Sequence, residues 1–167
     1  MKYKRILLLI IILFLTACNT NLTDGEKFKK EYEKYNNEKI ELNISKTNII
    51  KYQTKEEINK IIDSKTGVIF IGNPKNNKSR NSIKLLLDAA NSTDLQEIYY
   101  IDKLEGIKIN NIENIKIPII LFVLEGEIKD YSINEKDKLT EDEEIDLYNK
   151  YLEGIHKVLQ DTCDEEC

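Results

Sequence analysis

Apolar positions along this chain switch repeatedly between helical and extended spacing. From Glu26 to Tyr35, Phe28, Tyr32 and Tyr35 recur at helical intervals with charges between them, which predicts a first helix packed on a sheet. Ile40, Leu42 and Ile44 alternate with polar residues, and a second extended stretch runs through Ile49, Ile50 and Tyr52. Strands are therefore expected on both sides of a turn at Ser45-Lys46. Thr54-Lys55-Glu56-Glu57 has the spacing of a capping box, in which the threonine hydroxyl accepts an amide three residues on and the glutamate reaches back, so a helix should start there. Ile58, Ile61 and Ile62 supply its buried face, and Gly67 is expected to give it a left-handed exit.

Val68 to Ile71 is continuously apolar, as a strand covered on both faces is. It breaks at Gly72-Asn73-Pro74 into a polar turn and an amphipathic helix whose inner face is Ile83, Leu86, Leu87 and Ala90. Ile98 to Ile101 is the next apolar strand, so strand, helix and strand form a parallel pair with a right-handed crossover. Tyr99 and Tyr100 within it read as core or sheet-edge packing. Asp102 to Lys116 carries Gly106 and Asn-rich turns around scattered isoleucines and has no clear period. After Pro118, Ile119–Leu124 and Glu127–Ile133 flank Glu125-Gly126, which predicts an antiparallel hairpin. Thr140-Glu141-Asp142-Glu143 repeats the capping box, and Ile145, Tyr148, Leu152, Ile155 and Leu159 carry a helical stripe onward from it.

The N-terminal stretch adds an address. Lys2, Lys4 and Arg5 precede the apolar run Ile6–Leu15, too short for an ordinary membrane span. The following Leu15-Thr16-Ala17-Cys18 resembles the lipobox of bacterial lipoproteins. The resemblance implies a signal peptide over 1–17, cleavage before Cys18, and a palmitate-type acyl anchor on that cysteine at the extracytoplasmic face of the cell membrane. Residues 18–25 would then be a lipidated tether. Each methylene buried in the bilayer adds roughly 0.8 kcal/mol, so several acyl chains hold far better than one.

The leader carries three of the 25 basic residues and no acidic one, so its removal takes the net charge from −5 to −8 and leaves 150 residues, enough for one domain with its own core. That balance excludes a nucleic-acid backbone as partner and argues against strong attraction to anionic lipid head groups. No Gly-rich phosphate loop or metal-spaced histidines occur, and no cofactor or metal is expected. His156, the single histidine, follows Ile155 on the last helix and reads as a helix-surface or boundary residue. The charge runs Glu26–Lys39 and Glu135–Asp146 read as solvated faces.

Besides Cys18, the cysteines are Cys163 and Cys167, in the pattern Cys-Asp-Glu-Glu-Cys. In an exported protein such a pair is a disulfide candidate. If helical backbone continues to them, their Cα atoms would be about 6 Å apart, near the upper end of disulfide geometry. Asp164, Glu165 and Glu166 oppose thiolate formation. A redox pair and a soft-metal site stand beside the structural bridge as alternatives.

The order of helix, strand, capped helix, strand, helix, strand, proline-led hairpin and terminal helix over roughly residues 26–160 resembles the thioredoxin superfamily. More narrowly, Ile71-Gly72-Asn73-Pro74 and the polar residues after it resemble the G-x-P-x-C-x-x-C-R segment of thioredoxin-like proteins related to bacteriocin-transport accessory proteins. On that alignment Asn76 and Ser79 stand at the two redox cysteines, Arg80 keeps the basic residue, and Ile117-Pro118 falls at the family's cis-proline.

The resemblance implies an α/β, thioredoxin-like domain over 26–162, with a central mixed sheet of four to five strands flanked by helices and a long last helix, followed by the 163–167 tail. Disulfide exchange needs an attacking thiolate and a resolving thiol, and Asn76 and Ser79 provide neither. The expected activity is thus binding rather than catalysis. An extended exported peptide or envelope protein would be held by Pro74, Asn76, Ser79, Ile117 and Pro118, with thiol-disulfide exchange at Cys163 and Cys167 as the alternative.

Overall fold

Among the described residues, three of the four α-helices begin on the same four-residue device. The computed structural model describes residues 22–35, 44–109, 112 and 115–159. In it, helix α1 (Asp24–Tyr35) is capped by Thr23, whose amide donates to Glu26 Oε2 at 2.8 Å while the Glu26 amide donates to Thr23 Oγ1 at 3.3 Å. Thr54 and Glu57 make the same reciprocal pair at the start of α2 (Lys55–Ser64), and Thr140 and Glu143 at the start of α4 (Glu141–Leu159). Each box satisfies two amides that the helix itself leaves unpaired. Helix α1 starts at Asp24, two residues before the expected start, because Thr23-Asp24-Gly25-Glu26 is itself a capping box.

The sheet has five strands, β1 (Ile50–Tyr52), β2 (Gly67–Ile71), β3 (Ile98–Ile101), β4 (Ile119–Leu124) and β5 (Glu127–Ile133), in the order β1-β3-β2-β4-β5. β3 runs parallel to β1 and β2, β4 is antiparallel to β2, and β5 is antiparallel to β4. Helix α3 (Asn77–Asn91) connects β2 to β3. This is an α/β domain with a mixed sheet between helices and a long last helix, the thioredoxin-like layout that the sequence predicts.

Alternation along β2 fills two cores. Val68 and Phe70 join Phe28, Tyr32, Leu86, Tyr100, Phe122 and Tyr151 on the face covered by α1, α3 and α4. Ile69 and Ile71 join Ile58, Ile61, Ile62, Ile119 and Leu121 on the face covered by α2. Each fully buried side chain of this size stabilises by about 1.5–3 kcal/mol relative to its exposed state. Tyr100 is the centre of the first core, with the rings of Phe28 and Tyr52 edge-on at 4.9 and 4.8 Å and that of Phe70 stacked at 5.7 Å. Tyr99, on the other face, is half-buried.

The segment Asp102–Lys116, without a period in the sequence, lays its apolar residues on the α2 face. Leu104, Ile107, Ile109, Ile112 and Ile115 pack there, and none of the described residues of this segment is helical. The hairpin turn is as expected. Glu125 and Gly126 have φ of 50° and 79°, the pair of positive values that a two-residue primed turn needs. A Cβ on Gly126 would also lie 2.5 Å from the Asp63 carbonyl oxygen.

Two local expectations are corrected. Ile44–Ile49 is a 3-10 helix rather than strand, so the extended stretch begins at Ile50. This helix packs on α1 where Gly25 has no side chain, since a Cβ there would meet the Thr47 carbonyl oxygen at 2.4 Å. Gly67 is not the exit of α2. The cap residue Lys65 is extended, with φ −129° and ψ 174°, and Gly67 opens β2 under the Tyr99 ring, which would stand 2.5 Å from a Cβ. Ile40 and Leu42, the lipidation residue Cys18, and Cys163 and Cys167 lie outside the described residues. No helix among the described residues is long and apolar enough to cross a membrane.

Candidate functional site

Three segments meet where β2 ends. Ile71 pairs with Ile119, and Ile119 pairs with Ile133, so the residues just beyond that row are Gly72–Asn77, Ile117-Pro118 and Asn134–Lys136. Gly72 is held to the sheet by its amide, which donates to the Ile101 carbonyl at 3.1 Å. A Cβ there would lie 2.6 Å from the Phe70 ring and 3.1 Å from Ser79 Oγ, so the chain must turn at a residue without a side chain.

Asn73 then closes a tight turn. Its carbonyl accepts the Asn76 amide at 2.9 Å, its side-chain oxygen accepts the Lys75 amide at 3.0 Å, and its own amide donates to Ser79 Oγ at 3.1 Å. Pro74, buried, occupies the second position of this turn, where its fixed φ is suited. Asn76 is the N-cap of α3, with its side-chain oxygen accepting the Lys78 amide at 2.8 Å. The two residues that the resemblance aligns with redox cysteines therefore serve the backbone. Asn76 caps the helix, and Ser79, only 1% exposed, anchors the turn from below.

Arg80 was not expected in the interior, yet it is 8% exposed. Its guanidinium donates to the Pro74 carbonyl at 2.6 Å and to Asn77 Oδ1. Its carbonyl accepts the Tyr32 hydroxyl at 3.0 Å. Burial pushes the Tyr32 phenol well above its usual range, against the pull of the Arg80 charge, so Tyr32 stays a donor. Asn134, also buried, donates to the Lys78 carbonyl at 3.3 Å and accepts the Lys136 amide at 2.9 Å, which joins the end of β5 to the first turn of α3.

The Ile117-Pro118 peptide bond is cis, at the position where the resemblance implies it. Pro118 is buried and Ile117 half-buried, and both precede the ladder, which β4 enters at Ile119. The five residues proposed as a binding surface, Pro74, Asn76, Ser79, Ile117 and Pro118, thus flank one end of the sheet, although Ser79 lies beneath the surface. Beside them a cavity of about 350 Å³ has Ile133, Leu139 and Leu147 in its wall and Lys136 and Glu143 at its rim. Hydrogen bonds from Lys136 and the Thr140 amide hold the Glu143 carboxyl below its usual value, and Lys116 does the same for Glu135.

Among the described residues, Ser79 and His156 do not come together as a nucleophile and base. The hydroxyl of Ser79 meets a backbone amide rather than a base, and His156 is exposed on α4, in keeping with its reading as a helix-surface residue. The described residues hold no group of three or more His, Cys, Asp or Glu side chains placed for a metal ion. What the site offers is a rigid turn, a main-chain segment at Ile117 ahead of the ladder, and an apolar recess. No protein-family model, curated protein or solved structure matches the chain.

Proposed function

We propose that this protein is a membrane-anchored, thioredoxin-like lipoprotein without the usual redox cysteines, and that it acts as a binding or accessory module for an exported peptide or envelope protein. The observation that carries this reading is the use made of Asn76 and Ser79. Asn76 is spent on capping α3 and Ser79 on holding the Asn73–Asn76 turn, so an ordered loop stands where the resemblance has thiol chemistry. An extended chain beside Ile117 would gain main-chain hydrogen bonds, which need no cysteine.

Site-directed photocrosslinking in the full-length protein in its own membrane tests the reading. A photoreactive residue at Ile117 should trap a discrete partner, and the same residue at Lys60, exposed on α2, should not. Equal adducts at both positions, or none at either, would remove this surface from consideration. Intact mass of the purified protein tests the address and the cysteine pair together. It should show acyl chains on Cys18 and a mass two hydrogen atoms lighter than the dithiol form at Cys163 and Cys167.

A further inference from the structure

The chain is acidic, with 30 Asp and Glu against 25 Lys and Arg. Yet between Asp63 and Asp88 there is no acidic residue, and Lys65, Lys75, Lys78, Arg80 and Lys84 all fall in that interval. Three of these five, Lys75, Lys78 and Arg80, lie in the turn and first turn of α3 that form the candidate site. Among the described residues none of the three has a carboxylate within ion-pair distance, whereas Lys84 is paired with Asp88 at 3.7 Å.

Arg80 gives this asymmetry its weight. A buried cation is costly unless it is paired, and surface lysines without partners are ordinary. Arg80 is 92% buried and its bonds go to neutral acceptors, the Pro74 carbonyl and Asn77 Oδ1. Its charge is therefore undiminished beneath the turn that Lys75 and Lys78 cover. Two carboxylates near the same end are paired, Glu135 at 2.8 Å from Lys116 and Glu143 with Lys136, and Glu135 also lies in the field of Lys78. Asp102, half-buried after β3, and Asp146, in the wall of the recess, add negative charge near this end, so the cationic cluster is local to the Asn73–Arg80 segment of a negative molecule. Lys75 is also steered, its ammonium 5.7 Å from the centre of the Tyr35 ring.

We infer that the surface between the Asn73–Lys78 turn and Ile117-Pro118 takes an extended acidic segment of a partner polypeptide. The inference rests on the binding-module reading and sharpens it. Successive side chains of an extended segment point to opposite sides. Carboxylates on one side would meet Lys75 and Lys78, while apolar residues on the other would enter the recess walled by Ile133, Leu139 and Leu147. The field of Arg80 and the lysines would raise the association rate and make binding fall with salt.

The test uses the full-length protein in detergent micelles and fluorescence anisotropy with two labelled peptides, one alternating Glu and Val and one alternating Lys and Val. The acidic peptide should bind at least tenfold more tightly than the basic one and weaken severalfold on raising the salt. The double variant Lys75→Glu/Lys78→Glu should lose that binding by at least tenfold. Lys60→Glu/Lys65→Glu, the same charge change on exposed residues of the α2 end, should leave it within twofold, with both variants melting near the parent temperature. Equal binding of the two peptides would overturn the acidic preference and leave a peptide-binding module standing. Failure of both peptides to bind would overturn the module itself.

Discussion

The hydroxyl of Ser79 accepts the amide of Asn73 at 3.1 Å, across a turn whose other hydrogen bonds come from Asn73 and Asn76 themselves. The serine that the resemblance aligns with a redox cysteine is the floor of a loop. Ser79→Ala would leave the Asn73 amide, part-buried, without its acceptor. Losing one partner of a buried hydrogen bond costs about 1–3 kcal/mol, more than the bond's net contribution when both partners are removed. Denaturant unfolding should show a loss in that range, with an unchanged slope against denaturant.

Gly154→Ala should also destabilise, although the usual sign for an alanine in a helix is favourable by about 1 kcal/mol. Gly154 lies on α4 against the fully buried ring of Phe122, and a Cβ would meet Cδ2, Cε2 and Cγ at 2.5–2.6 Å. Such overpacking typically costs about 1–3 kcal/mol and so outweighs the helix propensity. A lowered thermal midpoint, measured by far-ultraviolet circular dichroism, is the expected outcome. A raised one would show that α4 and the sheet separate without penalty.

Stability should fall as the solution is acidified, with Asp130 among the causes. Partial burial pushes its carboxyl up, but the Lys157 ammonium at 2.8 Å and the Tyr131 amide at 2.7 Å outweigh that and hold it below its usual value. A carboxyl depressed in the folded state stabilises above the unfolded value, about 3.9, and that contribution disappears as the pH drops through the folded one. Glu57 and Glu143, depressed by their capping partners and, for Glu143, first by Lys136, act in the same direction. Asp130→Asn should accordingly be less stable than the parent at pH 7, and the gap should close toward pH 3. A gap of constant size would mean that the ion pair contributes nothing through its charge.

How far the fold can be read from the chain depends on the range of the forces involved. Capping boxes and periods are local, so α2, β2, the β4–β5 hairpin and α4 stand out in the residues that form them. Thr23-x-x-Glu26 carries the same signal, but Asp24-Gly25 beside it looks like tether, and the signal is easily passed over. The isoleucines of 40–50 suggest strand because the contact that favours a 3-10 turn is made by Gly25, some twenty residues earlier. The burial of Arg80 and the role of Ser79 are invisible in a polar stretch of sequence. Arg80 meets Tyr32, 48 positions away, and Ser79 turns inward to the Asn73 amide six residues before it, a contact that no periodicity announces. The isoleucines of 104–117 are legible as apolar but not as core, since they follow the sheet surface without a period of their own.

The reading of Asn76 and Ser79 as former redox positions can be tested by restoring the thiols. Residues three apart at a helix start have Cβ atoms about 5–6 Å apart, and modest adjustment of the N-cap brings that into disulfide range. Asn76 sits where the helix N-terminus, Lys75 and Lys78 would all favour a thiolate. Asn76→Cys/Ser79→Cys, made in a background with Cys163→Ser and Cys167→Ser, should therefore close an intramolecular bridge under mild oxidant and reduce insulin in the presence of dithiothreitol. Ser79→Cys alone should do neither, because a buried thiol without a resolving partner has nothing to exchange with. The bridge should also cost some stability, as sulfur is a poorer acceptor than oxygen for the Asn73 amide. If the two thiols of the double variant stay separately alkylatable after oxidation, the turn lacks redox geometry, and its polar residues were never stand-ins for cysteine.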